Sequence, residues 1–290
     1  MKANWISVLT FIGPSVVLLM IFLVAPIFIS LFMSFTNFNV YAMTDWSRAK
    51  FVGFDNFVEL FQDELFWKAL WNTFYCLIIA LPVTVGLALL GAVLLNRETT
   101  KFKAFFKTSF FLPFVTNTVA ISIVWTWIFN PNYGLLNWFL GLFGIEGPNW
   151  LGDPKWAMPS IIILVVWKAV GYNAILFLAG LQNIPSYLYE AAELDGASSV
   201  QKFLHITLPM LRPTTVFANT MMIIGYLQLF EEPYMLTGGG PLNSTLSVVL
   251  YLYRQGFKFF RLGYASSIAV ILFLLIVLLT LVRLRLSKEE

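Results

Sequence analysis

Apolar runs that are long enough to cross a lipid bilayer recur along this chain. Between Lys2 and Asp45 there is no charged residue, and VVLLMIFLVAPIFISLFMSF fills the middle of that stretch. A helix needs about 20 mostly apolar residues to cross the hydrocarbon layer. The chain contains six such runs, of which five lie between charges and the fourth holds one charge, Lys168. They predict spans over residues of about 11–34, 70–95, 108–129, 157–181, 213–233 and 263–283.

The composition indicates that lipid is the solvent of these helices. The chain is 59% hydrophobic and 11% charged, with a mean hydropathy of +0.79. A soluble domain is typically about half apolar and about a quarter charged. We therefore predict an all-α polytopic membrane protein, a single domain over residues 1–290 with six transmembrane helices. The first run is too long for a cleaved signal peptide, and no small-x-small cleavage pattern follows it.

Several classes of function are disfavoured by the polar residues that the chain does contain. The net charge of +3 is too small and too scattered for a nucleic-acid footprint. Cys76 is the one cysteine, so neither a disulfide framework nor a cysteine metal cluster is expected. His205 has no second histidine beside it, and we expect a surface or packing role for it. No cofactor is therefore expected in this chain.

The distribution of Lys and Arg predicts the orientation of the spans. The termini and the second and fourth connections carry ten of these residues, and the opposite connections carry seven. Cytoplasmic segments of membrane proteins are enriched in Lys and Arg. Both termini are therefore predicted to be cytoplasmic, in a multi-pass protein of a bacterial or archaeal cell membrane. The connection between the fourth and fifth spans, residues 184–212, is then cytoplasmic too.

That connection has the pattern of two short helices with a bend between them. Ser186 is the predicted N-cap of the first helix, and Asp195-Gly196 is a turn signal. Gly196 can adopt the left-handed conformation that ends a helix. A Ser cap starts the second helix, and Pro209 is predicted to end it. We call residues 184–212 the elbow.

The elbow offers a surface on which a partner could dock. Ala191 and Ala192 are small enough for close approach of a partner backbone. Glu190, Glu193 and Asp195 supply charge. The alternative is that the elbow is only a solvated loop between two spans.

Polar residues within the fourth and fifth spans indicate a solute path. Lys168 lies near the middle of the fourth span, where an ionisable group costs roughly 3 kcal/mol and usually faces the interior of a bundle. It either forms an ion pair, with Glu231 or Glu232, or lies beside the path. Aromatic faces and amides suit sugars, which have apolar C–H faces and hydroxyl edges. The candidate path residues are Trp167, Lys168, Gly171, Asn173, Tyr226, Gln228 and Phe230.

The elbow also carries a recognisable motif. EAAELDGA, followed by ITLPMLRP, resembles the EAA loop of permeases from ATP-binding-cassette importers, with nine residues between Gly196 and Ile206. FVGFDNF, FWKALWNTF, the approach WKAVGYNAILFLAGLQNIPSYLY and TGGGPLNST are similar to carbohydrate-importer permeases of the maltose, lactose, multiple-sugar and glycerol-phosphate type. Within that group the chain resembles the MalF-like member of a permease pair.

The resemblance implies partners and a mechanism. It implies a second related permease, two ATPase subunits that bind ATP and Mg, and an extracytoplasmic sugar-binding protein. Closure of the ATPase pair would move the spans from an inward-open to an outward-open arrangement. This chain has no G-x-x-x-x-G-K-[ST] phosphate loop, so it is not expected to hydrolyse ATP itself. The residues implied to couple to an ATPase are Glu190, Ala191, Ala192, Asp195, Gly196 and Ala197.

Other functions remain as alternatives. The same architecture could import glycerol-3-phosphate or another small polar solute, but an anion would favour several converging basic residues. The spans offer only Lys168, which favours a neutral di- or oligosaccharide. An ion-coupled secondary carrier would show inverted repeats with broken helices. An intramembrane enzyme would need paired acids, a His-rich motif or a nucleophile within the spans.

Overall fold

The computed structural model describes residues 5–96 and 102–286, and these residues are mostly helical. The α-helices are, in chain order, α1 (Trp5–Leu19), α2 (Ala25–Met33), α3 (Val40–Thr44), α4 (Asp55–Gln62), α5 (Glu64–Asn96), α6 (Lys103–Val115), α7 (Thr118–Ile128), α8 (Leu135–Gly141), α9 (Pro154–Gln182), α10 (Ser186–Leu194), α11 (Ser199–Lys202), α12 (Leu208–Met210), α13 (Arg212–Leu227), α14 (Glu231–Thr237), α15 (Val248–Tyr253) and α16 (Leu262–Leu286). A 3-10 turn covers Trp46–Arg48, and π-helical turns cover Met20–Val24, Phe203–Thr207 and Arg254–Lys258. One isolated antiparallel bridge joins Thr36 to Phe51.

Long apolar helices confirm the membrane class. Within the described residues, four helices have the length and composition to cross a bilayer, and they cover Thr10–Met33, Glu64–Asn96, Pro154–Gln182 and Leu262–Arg285. The number of spans is five if the bent pair Lys103–Val115 and Thr118–Ile128 crosses the bilayer as one span. The all-α polytopic prediction is therefore confirmed, whereas the number of six transmembrane helices stays a prediction.

The chain bends by 99° within the predicted span over residues 108–129, and that span stays a prediction. The Asn117 side chain accepts hydrogen bonds from the main-chain N–H groups of Val119, at 2.9 Å, and Ala120, at 3.4 Å. Asn117 is thus the N-cap of a new helix rather than an interior residue of an old one. Pro113 lies one turn before the bend, and proline inside a helix weakens the hydrogen-bond ladder at that point.

The predicted span over residues 213–233 is also interrupted. Helix α13 has 16 residues and ends at Leu227, and α14 begins at Glu231. Phe230, which precedes α14, has φ −140° and ψ −56° and is not helical. Proline is tolerated in the first turn of a helix but not in its interior. Pro233 therefore favours a helix that restarts just before it.

The chain divides into two compact units, drawn from Met1–Trp67 with Tyr251–Leu275, and from Lys68–Leu250 with Ile276–Glu290. The prediction of a single domain over residues 1–290 stays a prediction.

In the first unit, the buried side chain of Asn56 donates hydrogen bonds of 2.8 Å to the carbonyl oxygens of Ser34 and Thr36. These bonds hold the segment that follows α2 against α4.

A carboxylate with two phenol partners also stabilises the first unit. The hydroxyl groups of Tyr251 and Tyr264 both donate to Oδ2 of Asp63, the latter at 2.7 Å. Burial by itself would raise the pKa of Asp63, but these bonds and two main-chain N–H groups lower that pKa below its usual range. Asp63 therefore carries its charge at neutral pH.

Helix α9 is the central helix of the second unit. In its most apolar stretch of 18 residues, 56% of the residues are buried. The helix contacts α6, α13 and α14. The contact with α6 depends on Gly171, because a Cβ added there would lie 1.6 Å from the main-chain oxygen of Phe110. A backbone atom cannot rotate away as a side chain can, so this approach of two helices requires glycine.

We predict that Gly171→Ala lowers the unfolding temperature of the detergent-purified protein. Overpacking typically costs about 1–3 kcal/mol, and here the obstacle is backbone. A thermal-shift assay measures the effect. Gly86→Ala is the matched control, since nothing lies within 4 Å of a Cβ at Gly86. Replacing a helical glycine with alanine there should be neutral or stabilising by about 0.5–1 kcal/mol. Equal unfolding temperatures for the two variants would contradict the packing argument.

Candidate functional site

Lys168 lies at the centre of a polar cluster that joins three helices. Its Nζ donates to Oε1 of Glu232 at 3.0 Å and to the hydroxyl of Thr118 at 2.5 Å. The Lys168 side chain is 21% exposed and that of Glu232 is 11% exposed. Thr118 begins α7 and Glu232 lies in the first turn of α14, so the cluster connects both helix breaks to the middle of α9. Of the two carboxylates that the sequence offered, Glu232 is the partner.

A cavity of about 570 Å³ adjoins this cluster. The candidate path residues that line it are Lys168, Asn173, Tyr226, Gln228 and Phe230. The structure thus brings together five of the seven residues that the sequence suggested. Glu231 and Glu232 line the same cavity. The sequence had suggested both of these carboxylates as neighbours of Lys168.

The walls of the cavity combine aromatic faces with polar groups. The rings of Phe114 and Tyr172, which both line it, are stacked with centroids 4.4 Å apart. Phe230 is stacked on Tyr234 at 5.3 Å. These pairs leave flat apolar surfaces beside hydrogen-bonding groups, which is an arrangement typical of small-molecule sites.

Some of the polar groups in the cavity are already engaged and others are not. The Tyr226 hydroxyl is hydrogen-bonded to that of Thr84 at 2.8 Å, and the Asn173 amide donates to the carbonyl oxygen of Ala169 at 2.9 Å. The side chains of Gln228 and Glu231 are exposed and form no hydrogen bond or ion pair with the described part of the chain. They are available to a solute.

The other two candidate path residues lie elsewhere. Trp167 lines a second, almost wholly apolar cavity of about 630 Å³. Its ring packs edge-to-face with that of Trp125, with ring centroids 5.4 Å apart. Gly171 lies against the backbone of Phe110 in α6. Trp167 directly precedes Lys168 in α9, and successive residues of a helix point about 100° apart, so its side chain faces another cavity.

The elbow has the predicted helix–turn–helix arrangement with corrected ends. Gly196 has φ +74°, as the turn signal predicted. Ser198 caps the second helix in a capping box with Gln201. The N-cap of the first helix is Pro185, not Ser186, which is the first helical residue. Pro209 does not end the second helix, because it lies at the start of the short α12, where a missing N–H costs little.

The elbow has two arms, which are α10 and the helical segment over residues 199–210. A hydrogen bond of 2.9 Å between the hydroxyls of Tyr189 and Thr207 joins them. Glu193 forms an ion pair with Lys202 at 2.5 Å, again between the arms. Glu193 is therefore partly committed within the chain, whereas Glu190 and Asp195 are exposed. The two arms are braced as one body.

The elbow exposes apolar side chains, and Leu194 lies at its tip, beside the Asp195-Gly196 turn. Leu194 is 91% exposed, Val200 is 66% exposed and Tyr187 is 64% exposed. Glu190, Ala191, Asp195 and Gly196 are exposed beside them, and Ala192 and Ala197 are half-buried. Sequence reasoning on the motif overlooked Leu194. Its position directly before the Asp-Gly turn was the available signal, because turns lie on the surface of a protein.

Residues 84–288 match the family described as binding-protein-dependent transport system inner membrane component. This match covers most of the chain, including the cavity and the elbow. The chain belongs to this family. It is therefore a permease, a transport subunit rather than an enzyme, and a multi-pass protein of the membrane.

Characterised proteins resemble the permease over almost its whole length. It is 35% identical over 279 residues to the sulfoquinovosyl glycerol transport system permease protein of Agrobacterium fabrum, covering 96% of this chain and 89% of that one. It is 37% identical to the lactose transport system permease protein of Rhizobium radiobacter, covering 97% and 93%. These matches confirm the resemblance to carbohydrate-importer permeases.

A solved structure has the same fold. A crystal structure of a bacterial ABC transporter that imports the acidic polysaccharide alginate matches with a TM-score of 0.84 and 26% identity, covering 99% of this chain and 96% of that one. A crystal structure of a bacterial alginate ABC transporter in complex with an alginate pentasaccharide-bound periplasmic protein matches with a TM-score of 0.83 and 27% identity. The permease is thus a component of an importer that works with a substrate-binding protein.

Proposed function

We propose that this permease forms half of the path of an ATP-driven importer of di- or oligosaccharides. The observation that carries the proposal is the cavity beside Lys168, with its stacked pair Phe114–Tyr172 and the open side chain of Gln228. A sugar presents apolar C–H faces to aromatic rings and hydroxyl edges to amides and carboxylates. The names of the lactose, sulfoquinovosyl glycerol and alginate systems support a carbohydrate as the substrate.

We further propose that the elbow binds a separate ATPase subunit in the cytoplasm. The exposed Leu194 is an apolar anchor, and Glu190 and Asp195 surround it with charge. The residues proposed for this contact are Glu190, Ala191, Ala192, Leu194, Asp195, Gly196 and Ala197. Because the two arms of the elbow are braced to each other, movement of its tip passes to α9 and α13.

The complete importer would contain this permease, a second related permease, two ATPase subunits that bind ATP and Mg, and an extracytoplasmic sugar-binding protein. The periplasmic protein bound to the alginate transporter supports the last of these. We propose six spans with both termini cytoplasmic, which the distribution of Lys and Arg supports. No role in binding nucleic acid is proposed.

Reconstitution of the complete transporter in proteoliposomes tests the function. Uptake of the sugar that copurifies with the binding protein should require ATP, and loaded binding protein should stimulate ATP hydrolysis. Tyr172→Ala should raise the KM for uptake about two- to tenfold, because an aromatic contact is worth about 0.5–1.5 kcal/mol. Tyr133→Ala is the matched control, since Tyr133 is exposed in the loop before α8. Uptake driven by an ion gradient without ATP would instead indicate a secondary carrier.

A further inference from the structure

The charges around the cavity beside Lys168 do not balance. Its lining residues include one cation, Lys168, and two carboxylates, Glu231 and Glu232. Lys168 is already neutralised by Glu232, at 3.0 Å, and its ammonium also donates to Thr118. The cation is therefore not available to pair with a negatively charged solute. Among the described residues that line the cavity, the carboxylate of Glu231 is the charge without an opposite partner.

Glu231 and Glu232 are adjacent in sequence but differ in surroundings. The Glu232 side chain is 11% exposed and holds the ion pair, whereas Glu231 is exposed and has no hydrogen-bonded or ionic partner in the described part of the chain. Phe230 precedes them in a non-helical conformation, and the side chain of Gln228 opens on the same cavity. Glu231 and Gln228 are thus two open polar groups beside the aromatic faces.

We propose that Glu231 is a specificity-determining carboxylate that makes this cavity selective for uncharged sugars over acidic ones. This inference rests on the proposed function as a sugar importer. A carboxylate accepts hydrogen bonds from sugar hydroxyls, and bonds to a charged acceptor are stronger than bonds between neutral groups. The same carboxylate repels a uronate, sulfonate or phosphate.

The repulsion is large enough to discriminate between solutes. Two like charges about 6 Å apart, at an effective dielectric constant between about 80 and about 20, weaken binding about threefold to a hundredfold. The permease is therefore expected to differ from the transporter of the acidic polysaccharide alginate, although the two share a fold. It is also expected to exclude sulfonated and phosphorylated sugars.

Thiol modification measures the cavity charge without knowledge of the natural solute. Cys76→Ala removes the native thiol, and Gly225→Cys places a single one in the cavity wall, where nothing lies within 4 Å of a Cβ. Membranes that contain the complete transporter are treated with trimethylammonium-ethyl and sulfonato-ethyl methanethiosulfonates. The anionic reagent carries the kind of group that an acidic sugar carries. The two rates are divided by those on a free thiol, and their ratio is compared between variants.

We expect the cationic reagent to react faster, and Glu231→Gln to reduce the ratio of cationic to anionic rates by about threefold or more. Glu231→Asp should keep the ratio, because it keeps the charge. Glu146→Gln is the control, since Glu146 is exposed in the loop after α8 and does not line this cavity. A ratio that Glu231→Gln leaves unchanged would overturn the inference. An unchanged ratio would not bear on ATP-dependent sugar uptake, which the proteoliposome assay measures separately. Failure of the inference and failure of the proposed function are therefore distinguishable.

Discussion

Replacement of Lys168 with Met is expected to prevent stable insertion or assembly of the permease. The substitution keeps the length of the side chain but leaves the carboxylate of Glu232, 11% exposed, without its cation. Removal of one partner from a buried ion pair typically costs about 3–5 kcal/mol. The amount of permease in the membrane, and its recovery with its partner subunits, measure the loss.

The second substitution identifies the cause. Lys168→Met combined with Glu232→Gln should recover most of the assembled protein, because no charge is then buried alone. Lys168→Met combined with Glu231→Gln is the matched control and should not recover it, since Glu231 has no part in the ion pair. Normal assembly of Lys168→Met with weakened uptake would contradict the bracing role and would indicate direct contact with the solute.

Gly196→Val is expected to abolish transport while the permease still reaches the membrane. Gly196 has φ +74°, a conformation in which a β-branched residue is a genuine outlier. Nothing lies within 4 Å of a Cβ at this position, so the cost is backbone strain of about 1–3 kcal/mol and not a clash with the core. The elbow would relieve that strain by changing its bend, which would misplace Leu194.

The measurements are sugar uptake and the stimulation of ATP hydrolysis by loaded binding protein, at matched membrane levels. Gly196→Asn is the control, because asparagine tolerates the left-handed conformation. It should keep most of the activity even though it adds a polar side chain at the tip. Normal uptake by the valine variant would show that the elbow does not transmit force from the ATPase.

Features that depend on local chemistry were the predictable ones. The long uncharged run over residues 11–34, the positive φ of Gly196 and the Ser198 cap follow from charge spacing, from the freedom of glycine and from capping preferences. The structure has each of them. These features need no knowledge of what packs against them.

Features that depend on tertiary packing were not predictable. Asn117 could have been a buried polar residue of one long span, and only the three-dimensional fold shows that it caps a second helix. Gly171 could have opened a gap beside the path, but α6 fills that gap with its backbone. Glu231 and Glu232 were equivalent partners for Lys168 in sequence, and the restart of the helix at Glu231 separates their surroundings.

The π-helical turn Phe203–Thr207 determines how the residues before it in the elbow are rotated relative to those after it. A π turn bonds residue i to i+5 instead of i+4, so it contains one residue more than the α-helix that it interrupts. Each residue of a helix contributes about 100° of rotation. Removal of one residue from this turn would restore the α-helical pattern and change the rotation of the residues before it, relative to those after it, by about 100°. The orientation of the elbow therefore depends on the number of residues in this segment as well as on their chemistry.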